Sequence, residues 1–285
     1  MSELDLSAVF RAAGVAGWLH AVDLHTGDEV AYRADEPVVT ASIFKVPLLV
    51  EFARQADSGV LDWAERVTVG DADRVTGPTG VSALLDDATL SLRDLAYFMI
   101  TVSDNTAADV LAARVGLEAV NAMLTGFALG TTRVVQNVRE MFAGMEEDAG
   151  HSWPFVNLDE LASLRALNPA TTNRSTARET TRLFGLIWAD RAASSTACAW
   201  MRSLFGLQVW PHRLSSGFPY DDVAVSGKTG SLPTIRNEAG VVEYPDGRSY
   251  AVAVYTRAFS PALNQPRVDA VIGTAARMAV DHLRG

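Results

Sequence analysis

The sequence predicts an α+β fold: an antiparallel five-stranded sheet built from both ends of the chain, with flanking helices and an all-helical lobe inserted between the two halves of the sheet. Three observations predict it. Strand-like segments gather near the two termini, helical periodicity fills the stretch between them, and the strands at each end are joined by short turn signals rather than crossover helices. With 285 residues of which 48% are apolar, the chain can bury a large core.

The elements follow in order. MSELDLSAVFRAAGVAG reads as an amphipathic first helix. GWLHAVDL (17–24) and EVAYRA (29–34) are two strands joined at His25-Thr26-Gly27-Asp28, a hairpin signal. Helical patterns then run over 42–55, 91–102, 105–115, 117–125, 158–167, 176–190 and 196–206. Two of these open on capping boxes, Ser91-Leu92-Arg93-Asp94 and Thr176-Ala177-Arg178-Glu179, in which a hydroxyl and an acid three residues on satisfy each other's unpaired N–H groups. The stretch 137–175 is the least regular and is expected to be a surface loop region with one short helix. Strands return at 223–230, 236–244 and 249–257, the last two joined by Pro245-Asp246-Gly247, and a helix over 267–283 closes the chain. Residues 1–36 and 207–285 are thus expected to form the sheet domain and residues 37–206 the helical one, with the functional site at their interface.

Composition excludes several classes. A net charge of −10 with no basic run argues against nucleic acid, which needs clustered cations to neutralise phosphate. The single cysteine, Cys198, cannot form an internal disulfide, and its apolar helical surroundings mark it as a buried structural thiol. No 18-residue apolar stretch offers a membrane span. Asp5 and Arg11 interrupt the first helix, which lacks the pattern of an export signal, so the chain as it stands is expected in the cytoplasm. Histidines 20, 25, 151, 212 and 282 show no ligand spacing, and there is no phosphate loop, so neither metal nor cofactor is expected. A monomer acting on a small molecule is the simplest expectation. His151, Trp153 and Trp210 lie in loop-like stretches, where packing is the commoner role for such residues than lining a pocket.

Three short motifs carry chemistry. Ser42-Ile43-Phe44-Lys45 opens a helix, Ser103-Asp104-Asn105 sits at a junction between two helices, and Lys228-Thr229-Gly230 ends a strand. Each alone is weak, but together in this order they should arise by chance on the order of once in ten thousand chains. A serine hydroxyl is a poor nucleophile until a neighbouring base takes its proton. Positions three apart on a helix share a face, so Lys45 can reach Ser42 with no other scaffold. Ser42 at a helix start also leaves its own N–H unpaired beside the positive end of the helix dipole, half of an oxyanion hole. The helix is apolar almost throughout (Ile43, Phe44, Val46, Leu48, Leu49, Val50, Phe52), so Lys45 is expected to be buried, where a lysine needs a functional reason. Lys45 and Lys228 are also the chain's only lysines among 24 cationic residues.

The three motifs, the strand pair before TASIFKV, the segment LRDLAYFMITVSDNTAADVL and the block SGKTGSLPTIRNEAGVV resemble the class A β-lactamase-type serine hydrolases, a family within the β-lactamase and penicillin-binding protein superfamily. The resemblance covers nearly the whole chain. It implies Ser42 as the acylated nucleophile, Lys45 as its proton partner and Ser103 as the relay to the leaving nitrogen. It also implies Asn105 as a partner of the substrate's amide side chain, Lys228 as a source of positive potential, and Thr229 as a contact of the substrate carboxylate. Gly230 precedes Ser231, whose N–H would be the second oxyanion donor, and Arg236 stands where many relatives place an arginine that grips the carboxylate.

One departure matters. Relatives that turn over β-lactams quickly carry a glutamate four residues before a Leu-Asn asparagine, as Glu-x-x-Leu-Asn. Here Leu164 stands four residues before Asn168 in the Leu167-Asn168 pair, and the nearest acid, Glu160, is a helical turn away. The resemblance therefore implies acylation of Ser42 by a β-lactam or related amide or ester, with deacylation possible but slow. A cytoplasmic esterase, peptidase or acyltransferase on the same scaffold stays open, as does a β-lactam-binding protein that does not hydrolyse.

Overall fold

The computed structural model describes residues 4–152, 158–161 and 163–285. Helix α1 (Leu6–Ala12) leads into strands β1 (Val15–Asp23) and β2 (Glu29–Tyr32), then the two-residue β3 (Val38–Val39) and a 3₁₀ turn, Ala41–Phe44, continuous with α2 (Lys45–Asp57). Strands β4 (Arg66–Val69) and β5 (Ala88–Ser91) pair before α3 (Leu92–Thr101), α4 (Asn105–Val115), α5 (Leu117–Gly126) and α6 (Val138–Ala149). The four-residue α7 (Leu158–Leu161), β6 (Arg174–Ser175), α8 (Ala177–Trp188) and α9 (Ser195–Gly206) complete the helical block. Strands β7 (Ala224–Leu232), β8 (Ile235–Glu243) and β9 (Ser249–Ala258) and helix α10 (Pro266–Arg284) follow.

The five long strands form one antiparallel sheet in the order β2-β1-β9-β8-β7, so β9 joins the N-terminal hairpin to the C-terminal one. This is the α+β architecture the strand positions predict. β9 is covered on both faces, and its side chains divide by parity. Ala251, Ala253 and Tyr255 join the apolar cluster that includes α2, α3, α4, α8 and α9, whereas Tyr250, Val252 and Val254 pack with α1 and α10. The helical block and one face of the sheet therefore share a continuous core.

Helix α2 is the centre of that core. Val46, Leu48, Leu49, Val50, Phe52 and Ala53 are all buried, as befits a helix that is apolar all round. Both predicted boxes sit at helix starts as simple N-caps: Ser91 Oγ accepts from Asp94 N at 3.2 Å and Thr176 Oγ1 from Glu179 N at 3.0 Å, while Asp94 accepts from the Ser91 hydroxyl and Glu179 from Thr131 N and Thr132 N instead of closing the box. Cys198 is buried, as expected.

Two expectations are corrected. The stretch 137–175 contains a full helix, α6, started by a reciprocal capping box between Asn137 and Glu140 and stopped by Gly150 in the left-handed region. Asn-x-x-Glu was legible, but Val138, Met141 and Met145 are too sparse an apolar stripe to have drawn notice. The helix expected over 158–167 is instead α7 and a separate 3₁₀ turn, Arg165–Leu167, because Leu164 is extended, with φ −66° and ψ 109°.

Candidate functional site

The three motifs converge. Ser42 lies on the 3₁₀ turn ahead of α2, Ser103 in the tight link between α3 and α4, and Thr229 and Ser231 on β7, which continues past the Lys-Thr-Gly motif rather than ending on it. All four line a cleft of about 280 Å³, together with Asn105, Pro78, Thr79, Val102, Trp210, His212 and Arg213. Backbone strain marks two of these positions: Ala41, just before Ser42, has φ 46°, and Ser103 has φ 61°. Such non-glycine conformations cost about 1 kcal/mol each and persist where surrounding structure enforces them. At Gly230 the enforcement is steric, since a Cβ there would lie 2.6 Å from the Thr40 carbonyl oxygen; only glycine lets β7 approach the serine turn this closely.

Lys45 has no solvent exposure. Its Nζ donates to the Ser103 carbonyl at 2.7 Å, the Asp104 carbonyl at 3.1 Å and Asn105 Oδ1 at 2.9 Å, with Ser103 Oγ at 3.4 Å. Burial lowers its pKa to about 7, against the opposing pull of Asp104 and Asp109. Lys228 is equally buried and donates to Ser103 Oγ at 2.9 Å and to the Thr229 carbonyl at 2.8 Å. Burial, then repulsion from Lys45, holds it well below an ordinary lysine. Ser103 Oγ thus stands between two amines that are cheaper to keep neutral here than in water. That is the setting a proton relay needs.

The link that carries Ser103 is fixed from below. Buried Asp104 accepts from Ser82 Oγ at 2.8 Å and Ala107 N at 3.1 Å, and also from Val81 N. Asn105 gives its oxygen to Lys45 and its NH₂ to the Thr76 carbonyl at 2.8 Å, so its amide also holds the lysine in place.

The predicted residues do not all meet. Arg236 is absent from the cleft lining. Its guanidinium donates to the carbonyls of Leu232 at 3.0 Å, Ile235 at 2.9 Å and Leu263 at 2.8 Å. Arg236 stands across from Ser231 on the same face of the sheet, but these three bonds fold its guanidinium back onto the β7–β8 turn. Arg213 lines the cleft in its stead. Its Nη2 donates to Ser231 Oγ at 2.7 Å and its Nη1 to the carbonyls of Gly230 at 3.1 Å and Asn237 at 3.0 Å, while Nε pairs with Asp269 at 2.7 Å. Nothing in the local sequence Trp-Pro-His-Arg signals this, because every partner is distant in the chain. Trp210, expected to serve packing, also lines the cleft. His151 lies at the surface beside Glu160, and Trp153 falls outside the described residues.

Among the described residues, no group of three His, Cys, Asp or Glu side chains could hold a metal ion. No helix among them is long and apolar enough to cross a membrane.

An α+β scaffold with serine and lysine at the root of a buried helix defines a serine-hydrolase-like class. The chain belongs to the beta-lactamase enzyme family, whose model matches residues 2–283. It is 30% identical over 301 residues to the beta-lactamase regulatory protein BlaB of Streptomyces cacaoi, covering 98% of this chain and 96% of that one. To a beta-lactamase of Streptomyces albus G it is 26% identical over 289 residues, covering 99% and 84%. A solved beta-lactamase from Sphaerobacter thermophilus superposes with a TM-score of 0.79 at 25% identity, over 95% of each chain. The family and fold expected from the three motifs are borne out.

Proposed function

We propose that this chain is an acyl-transfer enzyme that forms an acyl-enzyme on Ser42 with a carboxylate-bearing β-lactam or a related amide or ester, and releases it slowly. The observation that carries the proposal is the placement of Ser103 Oγ at 2.9 Å from Lys228 Nζ and 3.4 Å from Lys45 Nζ, beside Ser42 in one cleft.

In the proposed step, Lys45 is deprotonated at the cost of one of its three donated hydrogen bonds, and the freed lone pair takes the Ser42 proton as Oγ attacks the substrate carbonyl. The oxyanion is held by the N–H groups of Ser42 and Ser231. When the C–N bond breaks, Ser103 gives its proton to the leaving nitrogen and is reprotonated from the lysine pair, so the protons balance. Thr229 and Arg213 receive the substrate carboxylate, the arginine taking the part expected of Arg236.

A second reading is favoured by Leu164. It is 3% exposed and packed in the core, at the place where the family pattern implies a glutamate to activate water. Without that base an acyl-enzyme lingers, which suits a β-lactam sensor as well as a slow hydrolase. One relative is named a beta-lactamase regulatory protein and another a beta-lactamase, so both readings are kept for the test. Intact-mass spectrometry through a time course with a penicillin separates them. One adduct, lost in Ser42→Ala, is expected; its decay over time means hydrolysis and its persistence means trapping. No adduct with any β-lactam overturns the proposal.

A further inference from the structure

We infer that Glu238, which takes no part in the acyl-transfer steps, is a positioning residue that sets the two halves of the carboxylate-binding wall at once; the inference rests on the acyl-enzyme reading above. Glu238 has no solvent exposure and lies on β8 opposite Thr229. Its Oε2 accepts from Leu214 N at 2.6 Å, the residue next to Arg213. Its Oε1 accepts from Gln208 Nε2 at 2.7 Å, and Gln208 Oε1 accepts from Thr229 N at 2.6 Å. β7 is an edge strand, so an N–H directed away from β8 has no ladder partner, and Gln208 fills that place at Thr229. One buried carboxylate therefore reaches Thr229 through an amide and Arg213 through the adjoining backbone.

The chain of hydrogen bonds has a fixed direction. Thr229 N–H and Leu214 N–H can only donate. Gln208 must turn its oxygen to Thr229 and its NH₂ to Glu238. Glu238 must then accept on both oxygens, which a carboxylate does and an amide cannot. Beside it β7 and β8 approach closely at Gly227, where a Cβ would lie 2.9 Å from the Ala239 carbonyl. Burial pushes the Glu238 pKa up to about 7, whereas the bond from Leu214, the Arg213 charge and Gln208 all favour the ionised form. An ionisable group this costly to bury, and outside the cleft, calls for a role that an apolar residue cannot fill.

The direction of the chain supplies its own test. Glu238→Gln forces one donor against another. Gln208→Glu sets two carboxylates face to face. The double swap, Glu238→Gln with Gln208→Glu, can again satisfy all three hydrogen bonds with the same groups and the same net charge, the two backbone N–H groups still donating and the central bond now running from position 238 to position 208. Acylation of wild type, both single variants and the swap would be followed by mass spectrometry with benzylpenicillin and with p-nitrophenyl acetate, an ester that has no carboxylate. The penicillin-to-ester ratio of acylation rates should fall roughly tenfold in each single variant, the scale of one hydrogen bond to a charged group, and return to within about twofold of wild type in the swap. A ratio unchanged in the single variants, or a folded swap that recovers nothing, overturns the inference and leaves the acyl-enzyme reading standing. If the single variants do not fold, recovery of a folded, acylating protein by the swap supports it, and a swap that also fails to fold overturns it. Wild type that takes up neither probe overturns the acyl-enzyme reading, and this inference with it.

Discussion

The cluster around Ser42, Ser103 and Lys228 and the segment 137–175 treat charge in opposite ways. In the cluster, both lysines are fully buried and spend their donors on named oxygens, and the turn beneath is pinned by a buried aspartate. In the segment, charges meet at the surface: Arg165 pairs with Asp148 at 2.7 Å and with Glu147 at 2.5 Å, and Glu160 with His151 at 3.1 Å. Its buried apolar side chains include Val138, Met141, Met145, Leu164, Ala166 and Leu167. The difference teaches where selection for chemistry is visible. Exposed ion pairs contribute little to stability, about 0–1 kcal/mol each, whereas buried amines are costly and persist only where something uses them.

The sharpest way to break that comparison is Ser42→Ala. It should lower acylation by a β-lactam on the order of 10³-fold or more while the fold is retained, as judged by adduct formation and circular dichroism. Lys45→Met, which keeps the volume and removes the amine, should lower acylation by about 10²–10⁴-fold. The pH profile sharpens this. A lysine lowered to about 7 becomes a competent base as pH rises through that value, so the wild-type acylation rate should climb about tenfold per unit below it and level off above. The variant should lose that climb; a wild-type rate that is flat between pH 5 and 8 would assign the proton elsewhere.

Leu164→Glu moves charge onto the buried side of that segment. It should shorten the lifetime of the acyl-enzyme by roughly tenfold or more, at a cost of about 1–3 kcal/mol for the buried polar group. An adduct that decays no faster, in a protein that still folds, would show that release is limited by something other than a missing base. Arg213→Met should weaken acylation by a carboxylate-bearing penicillin by roughly tenfold, as expected for a lost charged hydrogen bond, and Arg236→Met should not; the reverse order would return the carboxylate contact to the strand arginine. The smallest effect belongs to the capping box of α6. Glu140→Ala should lower stability by about 0.5–1 kcal/mol in thermal unfolding, with acylation unchanged.

Much of this was legible in the sequence, for identifiable reasons. Strand patterns, turn residues and the capping hydroxyls of Ser91 and Thr176 are local signals, and the sheet and most helix starts follow from them. Lys45 was legible because an apolar helix with one lysine advertises burial. Arg213 and Glu238 were not. Their partners are Asp269, Gly230, Asn237, Gln208 and Leu214, brought together only by the pairing of β7 with β8 and the docking of α10. The contacts of Arg236 were hidden for the same reason: spacing along the strand does not report that its guanidinium folds back onto the carbonyls of Leu232, Ile235 and Leu263. α6 is faint in the sequence because three buried side chains in twelve residues make a weak stripe, although its capping box is a local signal.

The burial of both lysines has a practical consequence. Every other side-chain cation is an arginine, so the folded surface offers an amine-selective reagent no lysine at all. Reductive methylation should leave the lysine side chains of the native protein unmodified and mark Lys45 and Lys228 only when the core around α2 and β7 opens. The rate of labelling at those two positions is then a clock for the opening of this core, readable by mass and needing no engineered probe.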